Sequence, residues 1–408
     1  MQHTRHFPKS LRPRRRFPQQ ARFRTLYYWM RFYAAGLLRP VCPPRAARNV
    51  DVAREGVIFS WVAETEVVMK AAYYEGKRRV SVGPSATSSP ASGQVQVRVS
   101  HCGICGSDLH MFYGDMDGRF RLPHIFGHES SGTIAALGEG VSGFAPGDRV
   151  TVRPLDPCGQ CPACRAGHSH VCQRLKVIGF DAPGALQTLW TVPAHTLHRL
   201  PESIPLRRAA LIEPLSVACH DTRLAELAAG EYAVIEGGGP IGMLIALVAR
   251  QLGARPLISE VNPFRIKLAR DLGLDAVNPK EADLVQLVSE RTKGAGADVV
   301  FEVSGSAAGA AMMTQLARVR GRIVIVAIFS EPPKVDLFRV FWRELRLLGT
   351  RVYEAQDFEQ AIALAASGAL PLDRLISEEC SLENVEPALR RLEAGGEVMK
   401  ILVRCAGD

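Results

Sequence analysis

Apolar and polar positions change rhythm along this chain. Between residues 69 and 155 the apolar residues alternate with polar ones over short stretches, as in Val95-Gln96-Val97-Arg98-Val99. Period two marks a strand with one buried face. Pro84–Gly93 is a Ser/Pro/Gly loop, and Asp148-Arg149-Val150-Thr151-Val152 is a second short strand after a Pro-Gly turn. Many short strands with such turns predict a small barrel or sandwich.

From about 216 to 350 short apolar runs alternate with helical patterns. The predicted strands are Tyr232–Ile235, Pro256–Ser259, Ala297–Phe301 and Ile323–Ala327; helices are predicted over Ile241–Leu252 and Pro263–Leu272. That alternation predicts a parallel sheet with helices on both faces. The tail, 351–408, is mixed and ends in a strand-like run, Val398–Val403. There is no internal repeat and no long flexible linker.

A chain of 408 residues suits about two or three domains, and no apolar run is long enough to cross a bilayer. The net charge of +9 is unevenly spread. Residues 1–68 hold 13 Lys/Arg and 4 Asp/Glu; taking these from 50 and 41 leaves 37 of each sign in 69–408. A neutral body argues against a nucleic-acid-binding protein, which shows a basic face of its own. The first fifty residues contain no Asp or Glu and include Arg14-Arg15-Arg16. Such composition suits a transit peptide, a basic arm for nucleic acid or anionic lipid, or an upstream extension with no role in the fold. The last is favoured, because a self-sufficient sequence opens at Met69, and most of 1–65 is expected to be poorly ordered.

Cys158, Cys161, Cys164 and Cys172 follow the spacing C-x2-C-x2-C-x7-C. Four thiolates in one short lobe suit a closed tetrahedral zinc site, which is structural. The alternative is two disulfides in a secreted chain. Ten cysteines are too few and too clustered for a secreted disulfide scaffold, so zinc and a reducing, cytoplasmic compartment are expected.

Gly237-Gly238-Gly239-Pro240-Ile241-Gly242 places Gly237, Gly239 and Gly242 in the pattern G-x-G-x-x-G. Alone the pattern is weak; here it follows a predicted strand and opens a predicted helix, the setting of a dinucleotide pyrophosphate site. Glu260 ends the second strand, 18 residues after Gly242. A carboxylate there bonds ribose hydroxyls and repels a 2′-phosphate, which favours NAD over NADP. Cys105, His128 and a carboxylate are able to supply the three protein ligands of a catalytic zinc, although spacing alone does not establish it.

Gly127-His128-Glu129-x2-Gly132-x5-Gly138-x2-Val141 resembles the zinc signature of the medium-chain, zinc-dependent alcohol dehydrogenases, and the four-cysteine lobe and glycine motif follow it in that family's order. The resemblance spans about 69–408. Ile212-Glu213-Pro214-Leu215-Ser216-Val217 is similar to the sorbitol, threonine and butanediol dehydrogenase branch. The implied fold is α/β: a GroES-like barrel over 69–215, a doubly wound Rossmann domain over 216–350, and a return to the barrel over 351–408. The resemblance further implies a catalytic zinc held by Cys105, His128 and one of Glu129 and Glu213, the other acting through the metal's water. It implies that Asp108 orients the site, that Ser107 and His110 relay a proton, and that Ile241, Glu260 and Arg265 contact the dinucleotide. Two zinc ions, NAD, a polyol, cyclitol or sugar-derived alcohol as substrate and a homodimer or homotetramer follow from it, with no nucleic-acid or membrane partner.

The implied reaction is reversible hydride transfer from a secondary alcohol, with zinc lowering the pKa of the alcohol. Two departures put sorbitol itself in doubt. The family's sorbitol members carry an arginine just before the tyrosine matching Tyr353, where this chain has Val352 with Arg351 one residue earlier; in a strand one residue changes the face. They also place a tyrosine where this chain has Met111. L-threonine and vicinal-diol dehydrogenases are the rival activities. A zinc-bearing nucleic-acid-binding protein and a dehydrogenase fold without catalysis are the rivals from other classes.

Overall fold

The computed structural model of the protein describes residues 69–86 and 88–406. The basic extension 1–68, and every expectation attached to it, lies outside the described residues. Thr65–Asp408 form one compact unit.

The first ten strands in chain order are β1 (Lys70–Gly76), β2 (Arg79–Pro84), β3 (Gln94–Gly103), β4 (His124–Ile125), β5 (Glu129–Leu137), β6 (Arg149–Val152), β7 (Leu155–Asp156), β8 (Lys176–Val177), β9 (Leu189–Pro193) and β10 (Leu197–Arg199). Six more are β11 (Tyr232–Glu236), β12 (Arg255–Ser259), β13 (Asp275–Val277), β14 (Ala297–Glu302), β15 (Ala317–Ile325) and β16 (Arg346–Gly349). The last two are β17 (Ile376–Ser381) and β18 (Lys400–Arg404).

The period-two segments behave as their pattern requires. Val95, Val97 and Val99 of β3 are buried while Arg98 between them is exposed. A seven-stranded sheet runs β10-β6-β5-β3-β18-β17, with β9 also pairing β3, and a smaller sheet runs β2-β1-β4. Trp190, Tyr74, Phe112 and Phe126 fill the core they enclose. The register of three neighbouring strands positions the chemistry. Gly103 of β3 pairs with Glu129 of β5 on one side and Leu402 of β18 on the other. A side chain at Gly103 would collide with the Glu129 carboxylate, so glycine there leaves that carboxylate its room.

The second sheet is parallel throughout, in the order β13-β12-β11-β14-β15-β16. This is the doubly wound order 3-2-1-4-5-6, which opens a crevice at the carboxyl ends of its first and fourth strands, β11 and β14. Alternate residues explain the continuous apolar runs: Val234 and Val300 face one apolar core, Ala233, Ile235 and Phe301 the other. The helix Ile212–Leu224 packs against the helices Pro240–Gln251 and Ala355–Ser367, and ten of its thirteen residues are buried.

Two expectations are corrected. The strand expected at Ile323–Ala327 begins at Ala317 and ends at Ile325. Its partner β14 ends at Glu302, whose carbonyl accepts the N–H groups of Val326 and Ala327 and so closes the pairing. The arginines at 318 and 320 hid its start from the apolar pattern. The segment around Tyr353 is not a strand either: β16 stops at Gly349, and Val352 has φ +49°. A shift of one residue therefore flips no face there; Arg351 is exposed and Tyr353 fully buried.

Candidate active site

Cys105 caps the helix Gly106–Tyr113, and the Asp108 carboxylate accepts its backbone N–H at 2.9 Å, a reciprocal cap that fixes where the thiol stands. Asp108 is fully buried, and its other oxygen lies 3.5 Å from His128 Nδ1. A carboxylate behind an imidazole sets ring orientation, leaving Nε2 for a metal. The ligand atoms of Cys105, His128 and Glu129 lie within 4.8 Å of one another. Burial pushes the His128 pKa down, but the Asp108 carboxylate and the Cys105 thiol outweigh it and hold it well above the usual range. Sulfur, nitrogen and oxygen donors gathered at one point that attracts positive charge fit a zinc ion.

Lys400 holds the carboxylate of this trio, and a second carboxylate, Glu213, stands near it. Glu129 is buried and both its oxygens accept from Lys400 Nζ at 2.8 Å; the same ammonium donates to the Ile104 carbonyl at 3.1 Å. Glu213 stands at the first turn of Ile212–Leu224, where Tyr353 donates its phenol proton to Oε1 at 2.7 Å. Burial pushes the Glu213 carboxyl up to about 7, against the pull of the nearby His128. Ser107 and His110 lie three residues apart on the helix Gly106–Tyr113, so they share a face. His110 is exposed and its Nδ1 is 2.9 Å from Asp115.

The four-cysteine lobe has the dimensions of a metal cage. Neighbouring sulfurs are 3.5–3.7 Å apart, and all four thiols lie within 4.8 Å of one another. A disulfide needs about 2.05 Å. Four sulfurs at about 2.3 Å around a tetrahedral zinc stand about 3.8 Å apart, which these separations approach. Backbone N–H groups of Cys158 and Arg174 point at Cys172 Sγ, and hydrogen bonds from Gln160 lead the causes that lower the Cys158 thiol to about 6. The donor set fits zinc.

At the crevice, Gly237 takes φ +111°, and a side chain at Gly242 would strike the Gly237 carbonyl, so both glycines are required by the turn. The helix Pro240–Gln251 then points its free N–H groups outward, ready for a pyrophosphate. Glu260 follows β12 and accepts from Gly238 N at 2.8 Å, Val261 N at 2.7 Å and Asn262 N at 2.8 Å. A carboxylate has about four acceptor positions, so one is left for a ribose hydroxyl. Arg265 lies 3.7 Å from Glu260 beside Gly239, and Ile241 is half-buried in the first turn of the helix.

Residues 91–202 match the family model of the alcohol dehydrogenase GroES-like domain, and residues 240–367 that of the zinc-binding dehydrogenases. The chain belongs to the zinc-dependent medium-chain alcohol dehydrogenase family. This dehydrogenase is 51% identical over 340 residues to the 2-dehydro-3-deoxy-L-galactonate 5-dehydrogenase of Pseudoalteromonas atlantica, covering 83% of this chain and 100% of that one. It is 32% identical to the sorbitol dehydrogenase of Halalkalibacterium halodurans, covering 83% of this chain and 98% of the other. Among solved structures it is similar to a zinc-binding dehydrogenase of Sinorhizobium meliloti bound to NADP, with a TM-score of 0.78, 32% identity, and coverage of 83% and 99%. It is a dehydrogenase of polyol or sugar-derived alcohols, with zinc and a nicotinamide dinucleotide as cofactors.

Lys400 of this dehydrogenase escaped the sequence reading. The signal was present: a lone lysine interrupts the apolar run Val398–Val403, and a charge in a buried strand needs a partner. Phe180, whose ring packs 5.0 Å from the His128 ring, was missed as well, with no local signal to find it.

Proposed function

We propose that this enzyme transfers hydride between a secondary hydroxyl of a sugar acid and NAD. The observation that carries the substrate class is the 51% identity to a sugar-acid dehydrogenase over that relative's whole length. The clustered Cys105, His128 and Glu129 support zinc-dependent chemistry at this site. We assign Glu129 as the third ligand, because its oxygen belongs to the cluster, and Glu213 to the position opposite, steadied by Tyr353. A zinc ion held there supplies Lewis acidity to the substrate hydroxyl. Ser107 accepts the hydroxyl proton and His110, exposed beside Asp115, passes it to solvent. The glycine turn Gly237–Gly242 anchors the dinucleotide, and Glu260 favours the free 2′-hydroxyl of NAD. The catalytic domain takes 69–215 and 351–408, and the dinucleotide domain 216–350.

The test is a screen over sugar acids, neutral polyols, threonine and butanediol, with NAD and NADP in parallel. A sugar acid oxidised with NAD should give the highest kcat/KM. Glu260→Ser should narrow the NAD preference by about tenfold or more, the loss of one charge-assisted hydrogen bond. Threonine or a diol as the best substrate, or an unchanged cofactor ratio in the variant, refutes the corresponding assignment.

We also propose a homo-oligomer and a reducing, cytoplasmic setting. No helix among the described residues is long and apolar enough to cross a membrane. Leu337, Phe338, Phe341 and Trp342 are 67–74% exposed on one short helix that leads to the edge strand β16. A contiguous apolar patch of this kind marks an interface. Light scattering should report a dimer or tetramer, and Phe341→Glu with Trp342→Glu should shift it to monomer; a monomeric unmodified protein ends this reading.

A further inference from the structure

A guanidinium that no step above employs stands near the metal-ligand cluster. Arg119 lies in the segment between the helix Gly106–Tyr113 and β4. Its Cζ stands 5.6 Å from the centre of the Phe180 ring, and that ring is 5.0 Å from the ring of His128. The guanidinium is therefore no farther than 10.6 Å (5.0 plus 5.6) from the centre of a metal-ligand imidazole. The neighbour of Phe180, Asp181, grips its Nε at 3.1 Å and its Nη2 at 2.8 and 2.7 Å. Asp181 is itself tied to the Val177 N–H at 2.8 Å. Stacking on one side and a fork of hydrogen bonds on another hold the planar group in place. Nη1 has no hydrogen-bond partner among the described residues, and the side chain is 42% exposed. A held guanidinium with one edge open is suited to a carboxylate.

We propose that Arg119 is the specificity-determining residue that receives the carboxylate of the substrate. This rests on the sugar-acid reading. In a six-carbon acid reacting at C5, four carbon–carbon bonds of about 1.5 Å separate the reacting carbon from the carboxyl carbon, a span of about 5 Å. A carboxylate–guanidinium contact adds about 3 Å between heavy atoms. Together these make about 8 Å, of the same scale as the separation of the guanidinium from the His128 ring, which is at most 10.6 Å. Asp181 preorganises the arginine, and the open Nη1 is the donor left to a substrate carboxylate. The bland alternative is a surface ion pair of small energetic worth, and it predicts no change in substrate choice on mutation.

The test compares 2-dehydro-3-deoxy-L-galactonate with its methyl ester, which keeps the carbon skeleton and removes the charge. The unmodified enzyme should prefer the acid by at least about tenfold in kcat/KM, the worth of a hydrogen bond to a charged group. Arg119→Gln should raise KM for the acid about 10- to 100-fold, leave kcat within about threefold, and leave the ester unchanged. Arg119→Lys should recover part of the loss. Equal losses for acid and ester in Arg119→Gln, or no loss for either, overturn the assignment of Arg119. An unmodified enzyme that uses acid and ester equally does the same while leaving the sugar-acid reading standing. An unmodified enzyme that oxidises neither, but does oxidise neutral polyols, overturns that reading and this inference with it.

Discussion

Alanine in place of Cys105 or His128 is expected to lower kcat by about 10³-fold or more while leaving dinucleotide affinity within about twofold. Lewis-acid stabilisation by a metal is worth several kcal/mol, and each 1.4 kcal/mol is a factor of ten. Both side chains belong to the three-donor cluster, so removing either leaves two donors to hold a metal. The dinucleotide turn Gly237–Gly242 follows β11, in a different sheet from β3 and β5, which deliver Cys105 and His128. Nothing in the cluster supports that turn. Metal analysis should show the loss of one zinc per subunit, with the four-cysteine site still filled, and NADH fluorescence titration should be nearly unchanged. Correctly folded protein stripped of that zinc yet fully active would falsify the assignment.

Local features were legible in the chain because their causes are local. The spacing of the four cysteines fixes a cage that a loop of fifteen residues closes on itself, from Cys158 to Cys172. The glycine turn needs positive φ at Gly237 and close packing at Gly242, and both demands fall on neighbouring positions. Val234 and Ile235 read as a continuous apolar run because a central parallel strand is covered on both faces.

What escaped the sequence depends on register between distant segments. Tyr353 reaches Glu213 across 140 positions, and Arg119 reaches Asp181 across 62. Neither pair has a spacing that a window could detect. Comparing Arg351 with Val352 by strand alternation presumes a strand at Gly349–Tyr353, yet pairing ends at Gly349 and Val352 turns into positive φ. That turn swings Tyr353 inward to Glu213, a position the strand reading had no means to give.

The Lys400–Glu129 pair, 271 positions apart, is where register matters most. Lys400→Met keeps an unbranched apolar stem in the strand but removes the ammonium that both Glu129 oxygens contact. Lys400 and Glu129 are 3% and 1% exposed, so the carboxylate left behind has no water to turn to. Removing one partner of a buried pair costs about 3–5 kcal/mol, because the remaining charge is uncompensated. Denaturant unfolding of the zinc-stripped Lys400→Met protein should show a loss of that order against the zinc-stripped unmodified protein, and added zinc should restore part of it by offsetting the Glu129 charge. Adding Glu129→Gln removes the stranded charge, so the double variant should regain much of the stability. It should not regain turnover, because the third ligand is then a weaker donor. That split separates two roles of one carboxylate: its charge is a burden on the fold that Lys400 offsets, and its oxygen is the proposed ligand for the metal. A zinc-stripped Lys400→Met protein as stable as the zinc-stripped unmodified one, within about 0.5 kcal/mol, would mean that Lys400 is not the counter-charge of Glu129.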